Sequence, residues 1–303
     1  MKALVLYGPK EFSLYYDADV YPLYRELKGF EKKLFKLYEH FHFCSIDRWL
    51  AAWKDNVEQY DVVIIFDGIR GRDVLEYIRR KNKRIKIKIY YINTMDETDR
   101  KAPSNYEGFD CDFYTFDPDD AKKFGMKFKH FYYGGTDVCL DGIKIINDVF
   151  FVGADKERLS YLKRLQIQFK RLGISYKMII TGTPHKFYSK DDKKLLSPPI
   201  SYDEVIQSVA ESRAVLDITK EGQSGITLRP MEAMMLDKKL VTNNPNVKKY
   251  DFYNPENIFI LQERDIEELP VFLKSAVVPV PNSIKNEYRF EEWSKEFLQI
   301  RYL

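Results

Sequence analysis

Short apolar runs alternate with amphipathic stretches along the chain, and this alternation sets the predicted fold. In the first half, Ala3–Tyr7 and Asp61–Phe66 predict buried strands, and Tyr21–Tyr38 has apolar residues at helical spacing. In the second half, a strand is predicted at Val149–Val152 and a long helix at Lys156–Leu172. Strands that alternate with helices are typical of parallel α/β sheets, so the pattern predicts an α/β protein.

The pattern breaks near residue 145, which predicts two Rossmann-like domains. We expect residues 1–145 to form the first domain, residues 146–283 the second, and residues 284–303 a C-terminal helix. The last segment has apolar residues near helical spacing and acidic residues on its other side. It is therefore expected to pack on the protein rather than on an anionic membrane.

Two segments have a strict alternation with a period of two residues. His40–Ser45 places two histidines and a cysteine on one side and two phenylalanines on the other, which predicts a short strand. Ile85–Ile89 alternates isoleucine with lysine, which predicts a strand with one solvated face or a charged edge strand. The second segment ends the basic run Arg79–Lys88, for which we expect a solvated surface and at most a weak contact with anionic lipid headgroups.

The composition excludes several classes of protein. Lys and Arg (49) nearly balance Asp and Glu (46), and a net charge of +3 argues against a dedicated nucleic-acid binder. Cys44, Cys111 and Cys139 have no metal-binding or CxxC spacing, so reduced thiols in a cytoplasmic protein are expected. The first apolar run is too short for a signal peptide, and no stretch approaches the roughly 20 apolar residues of a membrane span. We therefore expect a cytoplasmic protein, with any membrane association peripheral and weak.

The stretch Thr219–Asn244 contains the strongest functional signal. It begins after the apolar run Ala214–Ile218 and includes a second one, Lys239–Thr242, and both runs are predicted to be buried parallel strands. The intervening loop leads into a helix predicted to start at Pro230, and a helix amino terminus after a parallel strand is a common anion site. The loop and the first helical turn contain small, hydroxyl-bearing and charged residues, which are Gln223, Ser224, Gly225, Thr227, Arg229 and Glu232.

These residue types suit a phosphorylated, hydroxyl-rich ligand such as a nucleotide-sugar. Arg229 offers a planar fork for a diphosphate, and Glu232 can accept hydrogen bonds from a ribose. The alternative is a tight turn and a capped helix with a local i, i+3 salt bridge. Gly153 and Arg158 follow another predicted strand and could add a phosphate contact, with a plain strand–helix turn as an equal alternative.

The same stretch resembles a family of bacterial glycosyltransferase-like proteins of capsule, O-antigen and lipopolysaccharide biosynthesis. The matching segment is GQSGITLRPMEAMMLDKKLVTNN at 222–244, followed by KKYDFYNPENI at 248–258. It shares the Thr-x-Arg-x-x-Glu motif and a Lys-Lys-Leu strand that ends in Thr-x-Asn. YYINTMDET (90–98), FDCDFYTFDPDDAKKFGMKF (109–128) and DVFFVGADKER (148–158) extend the resemblance, which covers most of the chain from about residue 60.

The resemblance implies a GT-B arrangement, in which two Rossmann-like domains face each other across a cleft and a C-terminal helix crosses back to the first domain. It implies a donor nucleotide-sugar in the second domain and an acceptor, a glycan or a lipid-linked saccharide, in the first. The expected activity is glycosyl transfer in surface polysaccharide synthesis. The alternatives are a non-catalytic nucleotide- or glycan-binding protein and an enzyme that modifies nucleotide-sugars on the same scaffold, such as an epimerase.

An inverting transfer needs a general base beside the acceptor hydroxyl. The candidates are Asp17, which follows the loop at Gly8 and has Tyr15 and Tyr16 beside it to stack on a sugar, and Asp67, which directly follows a buried strand. Either aspartate could instead be a cap or a turn residue.

No Asp-x-Asp pair stands in a convincing position at a strand end, so we expect neither a required metal nor another cofactor. Cationic side chains and helix amides would then stabilise the leaving diphosphate.

Overall fold

The computed structural model describes residues 1–67, 69, 71–135, 142–184, 186–220 and 222–298. They form two compact units, one made of Met1–His130 with the chain from Phe290 onward, the other of Phe131–Arg289. The sequence pattern placed the boundaries at 145 and 283 instead. Residues 131–133 belong to the second unit because Tyr133 is buried in its core, where the Tyr133 amide donates to the Tyr288 carbonyl at 2.7 Å.

Each unit contains a parallel sheet, as the sequence predicts. The strands of the first unit are β1 (Ala3–Leu6), β2 (Ala18–Tyr21), β3 (Val62–Phe66), β4 (Lys86–Tyr91), β5 (Cys111–Thr115) and β6 (Lys127–Phe128). Those of the second unit are β7 (Asn147–Ala154), β8 (Tyr176–Thr181), β9 (Ser212–Asp217), β10 (Lys239–Thr242) and β11 (Ile258–Ile260). Among the described residues, the order is β2-β1-β3-β4-β5-β6 in the first sheet and β11-β10-β9-β7-β8 in the second.

Helices connect the strands in both units. The α-helices are α1 (Phe12–Tyr15), α2 (Phe30–Phe41), α3 (Asp73–Lys81), α4 (Pro118–Phe124), α5 (Leu159–Arg171), α6 (Lys190–Lys193), α7 (Tyr202–Ala210), α8 (Leu228–Met235), α9 (Leu269–Lys274), α10 (Asn282–Glu287) and α11 (Phe290–Leu298). Short 3-10 helices span Ile46–Arg48, Ala52–Gln59, Pro103–Tyr106, Pro245–Lys249 and Ile266–Glu268. No helix of the described chain is long and apolar enough to cross a membrane.

Local sequence signals explain where several of these helices begin and end. The start of α7 is a capping box, because Ser201 Oγ accepts from the Glu204 amide and Glu204 Oε2 accepts from the Ser201 amide at 2.8 Å. The long helix α5 starts three residues later than predicted, since Lys156 and Glu157 have left-handed φ values of 38° and 71°. These two residues prolong the loop after β7, which belongs to the candidate site.

The two segments with strict alternation differ from the prediction. The predicted strand at His40–Ser45 is wrong, because α2 continues to Phe41 with Tyr38 buried against the core. Strand β4 is not an edge strand, since it pairs with both β3 and β5. Lys88 is 5% exposed on this strand, and its Nζ donates to the carbonyl of Glu296 on α11 at 2.9 Å.

The predicted C-terminal helix is divided into α10 and α11. α10 belongs to the second unit and α11 to the first, so the chain returns to the first unit after completing the second. Trp293 on α11 is fully buried, and its Nε1 donates to the His130 carbonyl at 2.6 Å. Residues 299–303 of the predicted helix lie outside the described residues.

Candidate functional site

The order of strands in the second sheet defines where a ligand would bind. β8 lies on one side of β7, and β9 lies on the other, so the connections that leave β7 and β9 diverge. Parallel α/β sheets bind ligands outside the carboxyl ends of their strands at such a switch point. Here the loop after β7 contains Gly153 and Arg158, and the loop after β9 contains Gln223–Gly225. The fold thus places both predicted loops at one edge of the sheet.

Two adjacent asparagines at the end of β10 hold the loop after β9. The amide and hydroxyl of Thr219 donate to Asn243 Oδ1 at 2.8 and 3.1 Å. Asn244 Nδ2 donates to the carbonyls of Ser224 and Gly225 at 3.3 and 3.2 Å. Asn244 is only 3% exposed. Within the loop, Gln223 Nε2 also donates to the Gly225 carbonyl, at 3.0 Å. The loop is therefore held at both ends by side chains of the neighbouring strand.

Thr227 fixes the start of the helix that follows. Its Oγ1 accepts from the Arg229 amide at 3.1 Å and donates to Asp217 Oδ1 at 2.9 Å. The helix α8 consequently begins at Leu228, two residues before the predicted Pro230. Asp217, at the end of β9, is 1% exposed and also accepts from the Thr242 hydroxyl at 3.3 Å. The cap thus ties the helix to the ends of two strands.

Arg229 and Glu232 form an ion pair in the first turns of α8. Arg229 Nη1 donates to Glu232 Oε2, with the Arg229 side chain 17% exposed and the Glu232 side chain fully buried. The other carboxylate oxygen, Glu232 Oε1, is buried without a hydrogen-bond partner of suitable geometry among the described residues. A buried acceptor of this kind is rare in native proteins and could accept a hydrogen bond from a ligand hydroxyl.

Burial dominates the electrostatics of this pair. It raises the pKa of Glu232 to about 7, although the Arg229 charge and the Tyr202 hydroxyl act in the opposite direction. Tyr202 comes from the capped start of α7, and its pKa is raised by burial and by the charge of Glu232. Burial also raises the pKa of Asp217. Two carboxyl groups with raised pKa values therefore lie beside a helix amino terminus.

We expect the substitution Glu232→Gln to reduce the pH dependence of stability. With a folded-state pKa near 7, Glu232 binds more protons in the folded than in the unfolded state between about pH 4.5 and 7. Its contribution is fully present below that range and is lost as the pH rises towards 7, by roughly 3 kcal/mol. Urea unfolding at pH 5, 6, 7 and 8 should show this loss in the wild type and a smaller one in the variant.

Glu256→Gln provides the control, since it makes the same change of side chain at an exposed position of the same unit outside the site. A residual slope in Glu232→Gln is expected from Asp217. A Glu232→Gln profile identical to the wild type would show that the pKa of Glu232 is not raised by folding.

Gly153 and Arg158 are close together at the end of β7. A Cβ atom at Gly153 would lie 2.6 Å from Arg158 Nη2, so the glycine leaves room for the guanidinium group. Arg158 Nε donates to the Ala154 carbonyl at 3.0 Å, and its Nη1 donates to the Ile218 carbonyl. Burial lowers the pKa of Arg158, and the charge of Asp217 opposes this effect. Arg158 thus links the loop after β7 to the end of β9.

The two predicted acceptor-side aspartates lie at opposite edges of the first sheet. Asp17 precedes β2, and its carbonyl accepts from the Ala3 amide, which places it at the amino edge. Asp67 follows β3 at the carboxyl edge, where Asn93 Nδ2 and Lys101 Nζ donate to its two oxygens at 2.9 and 2.7 Å. The structure does not bring Asp17 and Asp67 together.

Sequence reasoning did not select Asp217, Asn243 or Asn244 as site residues. Asp217 is the one charged residue in the apolar run Ala214–Ile218, which could have drawn attention to it. The described residues contain no group of three or more His, Cys, Asp or Glu side chains that could hold a metal ion.

Comparison with solved structures supports the architecture. A variant of the Thermobaculum terrenum O-GlcNAc transferase matches 98% of this chain and 65% of its own, with a TM-score of 0.52 and 10% identity. AviGT4, a glycosyltransferase involved in avilamycin A biosynthesis, matches 98% and 96% with a TM-score of 0.49 and 10% identity. Anabaena HepE in complex with UDP and glucose matches 98% and 92% with a TM-score of 0.46 and 14% identity.

At 10% identity, the match to the O-GlcNAc transferase is a likeness of fold. This chain spans 65% of the length of that O-GlcNAc transferase. No protein family matches the chain, and the search of curated proteins gave no significant match. Two parallel α/β sheets with flanking helices, together with the match to the O-GlcNAc transferase, show a GT-B-type fold.

Proposed function

We propose that this protein is a glycosyltransferase that binds a nucleotide-sugar donor at the carboxyl edge of its second sheet. The observation that carries the proposal is Glu232, a buried carboxylate with one oxygen paired to Arg229 and the other without a suitable partner among the described residues. A ribose or sugar hydroxyl would satisfy that oxygen. The neighbouring loop and helix amino terminus suit the diphosphate of the same ligand.

Arg229 would act on the diphosphate. Its side chain keeps part of its surface exposed while one nitrogen holds Glu232. As the glycosidic bond to the donor breaks, negative charge grows on the leaving nucleotide diphosphate, and a fixed cation and the positive end of α8 stabilise it. Because these groups can supply the required charge, we expect transfer to proceed without a divalent metal.

On the acceptor side, we propose that Asp67 rather than Asp17 is near the reacting hydroxyl, because Asp67 lies at the carboxyl edge of its sheet. Turnover of Asp67→Asn compared with Asp17→Asn tests this assignment. A glycan or lipid-linked acceptor and a role in bacterial surface polysaccharide synthesis complete the proposal, and they rest on the resemblance of residues 222–244. A cytoplasmic location is part of the same proposal.

A panel of nucleoside diphosphates and nucleotide-sugars, followed by thermal unfolding with and without a chelator, tests the donor site. We expect the nucleotides of one base to raise the melting temperature, because a ligand that binds only the folded state stabilises it. The rise should be the same when a chelator is present. A panel without any shift would argue for a glycan-binding protein instead. Conversion of a nucleotide-sugar without acceptor would indicate a nucleotide-sugar-modifying enzyme.

A further inference from the structure

The first unit has its own switch point, and a concavity lies there. In the first sheet β2 lies on one side of β1, and β3 lies on the other, so the connections after β1 and β3 diverge. Tyr7 follows β1, Asp67 follows β3, and both line a concavity of about 590 Å³ within this unit. A ligand-sized space at the carboxyl edge of a parallel sheet is where binding is expected.

The backbone at this edge is strained at two positions. Tyr7 and Asp67 have φ values of 56° and 61°, in the left-handed region that non-glycine residues rarely adopt. Hydrogen bonds hold both, since the Tyr7 amide donates to the Tyr21 carbonyl at 3.1 Å and the Asp67 amide donates to the Tyr90 carbonyl at 2.7 Å. Strain of this kind clusters at ligand sites. The strained backbone therefore points to a ligand site independently of the shape of the concavity.

The walls combine aromatic rings with cationic groups. Tyr24 and Phe35 contribute rings that lie 4.7 Å apart. Lys32 and Lys36 contribute two ammonium groups from successive turns of α2, and both are exposed. Neither lysine has a carboxylate within ion-pair distance in the described part of the chain, although Glu39 also lines the concavity.

Two other charged side chains among the described residues of the wall neutralise each other. Lys101 is paired with Asp67 at 2.7 Å, so this lysine and this carboxylate balance each other. Among the described residues of the wall, the remaining charges are Lys32 and Lys36 against Glu39, which leaves one positive charge in excess. A concavity with an apolar floor and two lysines one helical turn apart suits a ligand that joins an anionic group to a ring or a hydrocarbon part.

We propose that this concavity binds the acceptor and that the acceptor carries a phosphate group held by Lys32 and Lys36. Its ring or hydrocarbon part packs on Tyr24 and Phe35. This inference rests on the proposed function, since it names the second substrate of the same transferase. The phosphate could belong to a lipid phosphate or to a sugar phosphate, and the experiment below separates these sources.

Calorimetry on the full chain with three probes tests the proposal. Farnesyl monophosphate and glucose 1-phosphate carry a phosphate on a hydrocarbon and on a sugar, and octyl glucoside, used below its micelle concentration, carries none. We expect at least one phosphate probe to bind roughly tenfold more tightly than octyl glucoside, which corresponds to about 1.4 kcal/mol. The better of the two phosphate probes identifies the source of the phosphate.

The double variant Lys32→Gln/Lys36→Gln should bind the phosphate probe at least about tenfold more weakly than the wild type. The matched control is Lys33→Gln, because Lys33 is exposed on the same helix but does not line the concavity. Circular dichroism verifies that the variants are folded. Equal binding of octyl glucoside, absence of binding by both phosphate probes, or an unchanged double variant would each overturn the proposal.

The same variants separate this inference from the donor site. Nucleotide-induced stabilisation should be unchanged in Lys32→Gln/Lys36→Gln, since the donor residues belong to the second unit. If the protein binds the phosphate probe through these lysines but binds no nucleotide, the donor site is contradicted and the acceptor site stands. If the protein binds nucleotide but neither phosphate probe, the donor site stands and the acceptor site is contradicted.

Discussion

The substitution Arg229→Ala should weaken nucleotide binding by roughly tenfold to a hundredfold, the range of a lost charge-assisted hydrogen bond. It should also destabilise the protein at pH 8, by roughly 1 kcal/mol more than at pH 5, because it leaves the Glu232 carboxylate buried without its partner. The loss of stability should shrink towards pH 5, since Glu232 then takes up a proton. Calorimetry with the bound nucleoside diphosphate and urea unfolding at both pH values measure the two effects.

A second substitution distinguishes the two roles of Arg229. Glu232→Gln removes the buried charge, so Arg229→Ala/Glu232→Gln should recover much of the stability at pH 8. It should not recover nucleotide affinity, because the cation for the diphosphate is still missing. If affinity returned together with stability, Arg229 would only support the fold. If Arg229→Ala bound nucleotide like the wild type, the diphosphate would have to lie elsewhere.

Asn244→Asp should be among the most destabilising single changes in the second unit, by about 3 kcal/mol or more. Asn244 uses its Nδ2 as a donor to the carbonyls of Ser224 and Gly225, and the side chain is buried. An aspartate would lose both hydrogen bonds and place a carboxylate against two carbonyl oxygens. We expect a lower urea midpoint and weaker nucleotide binding, because the loop after β9 is released.

The neighbouring residue provides the matched control. Asn243 uses its Oδ1 as an acceptor for the Thr219 amide and hydroxyl, and its Nδ2 makes only a long bond of 3.4 Å. An aspartate keeps the acceptor, so Asn243→Asp should change stability by about 1 kcal/mol or less. Equal effects of the two substitutions would contradict the different roles assigned to these asparagines.

Much of the fold follows from local sequence. Strand β10 has the predicted bounds, and the strand predicted at Asp61–Phe66 agrees with β3 to within one residue. β3 is apolar throughout, so it is stable only when buried on both faces, which a parallel α/β sheet provides. The cap of α7 is equally local, since both of its partners lie within three residues. The loop after β9 could also be predicted from the sequence, because glycine, hydroxyl-bearing and charged residues lie between two predicted buried strands.

Contacts distant in sequence decided the rest. The alternating lysines around β4 predicted a charged edge, yet β4 is internal and Lys88 is covered by α11, which follows about 200 residues later. Asp17 comes after the first strand in sequence, but the short helix α1 returns the chain to the amino edge before β2 starts. No local pattern reports which edge of the sheet a residue reaches or which helix covers a strand.

The candidate site shows the same division. The sequence by itself determined which residue types stand at the end of β9 and at the start of α8, because a strand, a loop and a helix start are local features. Only the tertiary structure decided that Glu232 is buried with one oxygen lacking a hydrogen-bond partner of suitable geometry among the described residues, and that Asn243 and Asn244 hold different parts of the loop. The physical reason is that burial and hydrogen-bond partners depend on how β10 and α7 pack beside β9, and neither neighbour is encoded within the loop itself.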